Sequence, residues 1–190
     1  MRRAIVLAAV IGFAGCGDGD AAIGVRPMSV AADLAPAAVD GGLKLYEGTD
    51  DEIVAAFANA GEESLVADGR LWEIRKGARL VGALQISTVK PKVDLAESRR
   101  RDAIVTDVLV GTYDRIRVGD VEVYTSAAND KVVYLWFGES MFQVLQLKGD
   151  ELDHERVLAD VVEHQEDLDS WKPLAIDVET DVEPEEPDDE

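Results

Sequence analysis

The chain has 190 residues, 47% of them hydrophobic and 6% aromatic, enough for one modest core and too few for two comfortable ones. Its single cysteine, Cys16, excludes an internal disulfide framework and any multi-cysteine metal site. A net charge of −20 makes nucleic acid an unfavourable partner, because the phosphate backbone would be repelled.

The charge is unevenly placed. Residues 150–190 hold 18 acids against two bases, Arg156 and Lys172, whereas residues 1–149 hold 21 acids against 17 bases. Adaptation of the whole surface would spread the acids, so the asymmetry speaks for an acidic C-terminal region.

Residues 1–16 read MRRAIVLAAVIGFAGC: two arginines, an apolar run from Ala4 to Ala14, then small residues and the cysteine. This is the anatomy of a secretory signal peptide over residues 1–15, and it is too short to span a bilayer. Either an ordinary signal peptidase leaves Cys16 as a stray thiol, or Cys16 is the purpose of the motif. Phe13-Ala14-Gly15-Cys16 resembles the lipobox of bacterial lipoproteins, with Phe13 where leucine is more usual. The resemblance implies a diacylglyceryl group on the Cys16 sulfur, cleavage just before it, and a place on the extracytoplasmic side of the cell membrane. Two acyl chains suit stable anchoring, since a single chain binds only marginally. Residues 16–42, dominated by Gly, Ala, Asp and Pro, are then expected to form a flexible tether. As a coil, Gly17 to Gly42 would reach about 28 Å.

Regular patterns begin at Leu43. Thr49 to Glu52 forms a capping box, with Ile53, Val54 and Phe57 on one helical face and Gly61 as a stop. LWEIRKGARLVGALQIST predicts two strands around Lys76-Gly77, with Leu80, Leu84 and Ile86 alternating on one side. A helix follows from about Leu95 to Val110, capped by Asp94 and burying Ile104, Val105, Val108 and Leu109. Four strands come next, YDRIR, VEVYTSA, KVVYLWF and MFQVLQL, separated by short turns. A last helix runs from about Asp153 to Leu168, burying Val157, Leu158, Val161, Val162 and Leu168.

Short hairpins demand antiparallel pairing, and amphipathic helices cover a sheet. The expected fold is α+β: an antiparallel sheet of five to six strands with three helices, mainly on one face, forming a single domain over residues 43–174. VVYLWFGESMFQVLQLKG before a final helix is loosely similar to small sheet-and-helix domains of exported bacterial lipoproteins and of anti-sigma-type sensors. That likeness describes a manner of building and not an activity. Residues 175–190 carry too little apolar surface to offset chain entropy and are expected to be a disordered acidic tail.

No catalytic constellation or cofactor motif is visible. His154 and His164 stand ten residues apart on one helix, about 15 Å along its axis, too far to share a metal. Ser140 lies in GESMF, which lacks the second glycine of a nucleophile elbow, and Asp18 and Asp20 are followed by alanines where a calcium loop needs ligands. One cluster breaks a local rule. Arg99, Arg100 and Arg101 occupy the early turns of a helix, against its dipole, and with Lys90 and Lys92 place five cations within twelve residues. They read either as a solvated helix end or as an anion site, which the acidic tail could also occupy. Trp72, Tyr124, Tyr134 and Trp136 supply either an exposed aromatic patch or the face beneath the helices. The expected function is binding of a protein partner, with carriage of a small apolar or lipidic ligand as the alternative and an enzyme as the third.

Overall fold

The computed structural model describes residues 30–48, 65–109, 111–128 and 130–174. Besides two short 3-10 turns at Ala32–Leu34 and Asp40–Gly42, the described strands and α-helices follow in chain order: β1 (Ala38–Val39), β2 (Leu43–Glu47), β3 (Val66–Lys76), β4 (Arg79–Val89), α1 (Ser98–Val108), β5 (Asp114–Val118), β6 (Val121–Ala128), β7 (Lys131–Phe137), β8 (Met141–Lys148) and α2 (His154–Glu166). The eight strands form one antiparallel sheet in the order β1-β2-β3-β4-β8-β7-β6-β5, two meanders joined where β4 meets β8. The α+β class therefore stands, with more strands than the five to six expected. The capping box at Thr49 and the helix after it, like Cys16 and the acidic tail, lie outside the described residues.

The two described helices take opposite faces of the sheet, where the expectation placed three helices mainly on one. Side chains alternate along a strand, and here both sets are apolar. Trp72, Ile74, Leu84, Ile86, Tyr134, Trp136 and Leu145 point to α2, where Val157, Leu158, Val161 and Val162 meet them. Burial of such side chains stabilises by roughly 1.5–3 kcal/mol apiece. Leu71, Tyr124, Leu135, Phe137, Phe142 and Val144 point the other way, to Ile104, Val105 and Leu109 of α1 and its flank. The result is three layers, helix on sheet on helix.

The segment from Val30 to Gly42 packs on the domain, which corrects its expected place in a free tether; residues 16–29 lie outside the described residues. Val30, Leu34 and Val39 are buried on the α2 side. The polar groups of α2 hold the segment: Asp40 N donates to Asp160 Oδ2 (2.7 Å), His164 Nε2 to the Asp33 carbonyl (2.7 Å) and Gln165 Nε2 to the Leu34 carbonyl (3.1 Å).

Gln165 also accepts from the indole Nε1 of Trp136 at 3.1 Å, and both side chains are fully buried. A second buried amide extends this thread. Gln143 Nε2 donates to the Trp136 carbonyl (2.9 Å) and its Oε1 accepts from Trp171 Nε1 (2.8 Å). One continuous polar line thus joins the N-terminal segment, α2, the sheet and the loop after α2. Gln165→Leu keeps the volume but strands the Trp136 indole N–H and the Leu34 carbonyl, each costing about 1–3 kcal/mol. Urea denaturation should therefore show a loss of about 2–5 kcal/mol. An unchanged midpoint would mean that the thread contributes nothing to stability.

Candidate functional site

The structure withdraws one cation, Arg101, from the set read as one cluster. Helix α1 starts at Ser98, three residues later than expected, because Asp94 Oδ1 accepts from Ala96 N in a local turn while Leu95 is buried as an anchor. Arg101 turns inward, only 9% exposed, and its Nη1 donates to the carbonyls of Leu95 and Ala96, both at 2.8 Å. It clamps the loop to the helix start and satisfies acceptors that the late start leaves over. Arg100 faces Glu97 at 3.6 Å. Lys90, Lys92, Arg99 and Arg100 remain exposed, so the anion-binding set loses Arg101.

The four aromatics do not form an exposed patch. Trp72, Tyr134 and Trp136 are buried on the α2 side and Tyr124 on the α1 side, the reading in which they underlie the helices. Burial pushes the Tyr124 phenol above its usual value, Glu122 adds to the rise, and Arg115 and Arg101 oppose it. Arg115 lies over the Tyr124 ring, 5.1 Å from its centroid. Both histidines serve the fold: His154 Nε2 contacts the Gly149 carbonyl at 2.9 Å, and His164 latches the N-terminal segment as described. Ser140 sits in the β7–β8 turn with its carbonyl accepting from Val89 N. Among the described residues no group of three His, Cys, Asp or Glu side chains could hold a metal.

A surface feature arises where sequence alternation misleads. The β3–β4 pairing shifts register between Ile74 and Arg75, so that Val81 is an extra residue in β4. Val81 is buried on the α2 side, and Leu80 is thrown to the opposite face instead of continuing the Leu84 and Ile86 row. Leu80 is 53% exposed there. It lines an open groove of about 320 Å³ with Ala83, Gln146, Lys131 and Lys148. Gly82 permits this shape, since a Cβ there would collide with the Gln146 carbonyl oxygen across the β4–β8 pair. Lys131 and Lys148 stand directly opposite each other across β7 and β8. Such like-charge neighbours are destabilising, and Asp130, 2.9 Å from Lys148 Nζ, offsets them in part. A second depression, about 380 Å³, is lined by Gly119, Asp120, Glu166, Trp171 and Pro173.

The different fates of the three arginines can be separated by stability. Arg101→Gln should cost about 2–4 kcal/mol in chemical denaturation, because two hydrogen bonds from a charged donor are lost. Arg99→Gln and Arg100→Gln should each stay within about 0.5 kcal/mol of the parent. Equal effects at all three positions would overturn the inward placement of Arg101.

No family model, curated protein or solved structure matches the chain, so the groove and its lysines carry the functional argument through their own geometry.

Proposed function

We propose that this protein is a lipid-anchored, extracytoplasmic binding module without enzymatic activity, whose groove at Leu80 receives an acidic, extended segment of a protein partner. The anchor reading rests on the signal-like start and the lipobox resemblance at Cys16, with residues 17–29 as the spacer. Among the described residues no helix is long and apolar enough to cross a membrane.

The observation that carries the partner chemistry is the pairing of Lys131 with Lys148 beside an exposed leucine. A carboxylate between the two ammonium groups would relieve their repulsion, and an apolar side chain next to it would cover Leu80 and Ala83. Helix α1 shields the other end of this sheet face, around Leu71, Phe142 and Val144, which leaves the groove accessible. The carrier alternative needs an apolar cavity between sheet and helices. Filling of that space by Trp72, Tyr134 and Trp136 on one side and by Tyr124 and Phe142 on the other favours binding at the surface.

Two experiments test the two halves of this reading. Cys16→Ser should abolish incorporation of labelled glycerol and fatty acid and move the protein out of the membrane fraction. Membrane retention with no label in the parent would refute the anchor. A photoreactive residue at position 80 should give a discrete crosslinked partner, absent when the probe is placed at exposed Tyr46 on β2 and lost in Lys131→Glu/Lys148→Glu. Identical adducts from both positions would sink the groove.

A further inference from the structure

Among the described residues the sheet has one substantial open edge. At one end β1 contributes only two residues; at the other β5 presents five, paired on one side to β6 alone. The two-residue turn at Gly119-Asp120, with Gly119 at φ 56°, closes the hairpin on the Val118–Val121 pair. In an antiparallel ladder hydrogen-bonded and non-hydrogen-bonded pairs alternate. The backbone groups of Val118, Ile116 and Asp114 therefore face β6, and those of Arg115 and Arg117 face outward. The arginine side chains share the α1 side with Tyr124, whereas Ile116 and Val118 border the α2-side core and are only half-buried. Glu122 stands 3.9 Å from Arg115, and among the described residues Arg117 has no ion-pair partner.

We propose that residues 177–183 of this chain, DVETDVE, add to the free edge of β5 as an antiparallel ninth strand. The segment alternates acids with Val178, Thr180 and Val182, the period that an extended strand requires. With Glu179 opposite Arg117 and Asp181 opposite Arg115, each acid meets an arginine on one face. Val178 and Thr180 then lie beside Val118 and Ile116 on the other.

The exit of the chain fits this path. Pro173 bridges Gly138, Leu174 N donates to the Phe137 carbonyl at 3.1 Å, and Pro173 lines a depression shared with the β5–β6 turn. The outer edge of β5 is two strand spacings away, about 10 Å, within reach of the four residues from Leu174 to Val178. On this path the uncharged Ala175 and Ile176 would be the residues to pass Asp120 and Glu166, which line that depression. A second copy of β5 fits the edge worse. Antiparallel pairing about Ile116 would set Arg115 against Arg117 of the other copy.

Hydrogen exchange on the full chain tests the proposal. The amides of Arg115 and Arg117 should exchange at least about ten-fold more slowly than in a chain ending at Leu174, with matching protection in residues 177–183. Arg115→Glu/Arg117→Glu should lose that protection, and adding Glu179→Arg/Asp181→Arg should restore it. Equal exchange in the full and shortened chains would overturn the strand addition. Protection that disappears on dilution would overturn it as well, by assigning the contact to the segment of another copy.

Discussion

Everything in this domain hangs on the indole of Trp136. Its Nε1 donates to Gln165 on α2, and Gln165 in turn holds the Leu34 carbonyl. The Trp136 carbonyl meets Gln143, which reaches the Trp171 indole in the loop after α2. Polar groups in an apolar interior are costly unless every one is paired, so this line admits one arrangement of five pieces of chain. Apolar contacts alone would let α2 slide along the sheet. The amide thread fixes its register and ties both described ends of the chain to the centre of the fold.

That constraint explains what is covered and what is left open. Helix α2, 13 residues long and helped by the Val30–Gly42 segment, closes one sheet face. Helix α1 has 11 residues and meets the sheet near Leu71, Phe137 and Phe142, so it protects one end of the other face. The β-bulge at Val81 makes the unprotected end apolar by turning Leu80 outward. The groove is thus a product of uneven coverage combined with one extra residue in a strand.

The sequence made the hairpins legible because two-residue turns and alternating apolar runs are local signals; VEVYTSA, KVVYLWF and MFQVLQL fall within strands, and YDRIR does so from Asp114 on. Four predicted stripe residues of α2 are buried for the same reason. Which face each helix covers was not legible, since a run such as KVVYLWF is apolar on both sides and its parity does not name an inside. The Val30–Gly42 segment escaped because Val30 and Leu34 keep a helical spacing for one turn only, and Val39, five residues on past Pro36, continues neither a helical nor a strand period. Gln165 did leave a signal. It lies four residues after Val161 and seven after Leu158, on the buried stripe, where a polar residue demands a partner. The aromatics were ambiguous in principle, and only the third dimension distinguishes a patch from a core. Leu80 misled because alternation holds only while the register does.

The two termini of the described chain also give the molecule a direction. Val30 N reaches the Asp68 carboxylate at 3.4 Å, at the end of the sheet where Asp68 pairs with Thr88. Leu80 lies eight residues back along β4, which at roughly 3.3 Å per residue places it about 26 Å away along the strands. A spacer arriving at Val30 from a lipidated Cys16 would therefore meet the domain at one end of the sheet, with the groove of Leu80, Lys131 and Lys148 at the other. The exit at Leu174, paired with Phe137, lies at the entry end, so the acidic segment begins away from the groove. Charge is separated in the same way: lysines stand at the distal groove, and nine acids follow an exit at the near end. With the anchor and the ninth strand as proposed, an acidic partner approaching from outside the membrane would meet the groove first, and the chain's own carboxylates would be drawn to Arg115 and Arg117 instead. The ninth strand would thereby keep an internal competitor off the lysines.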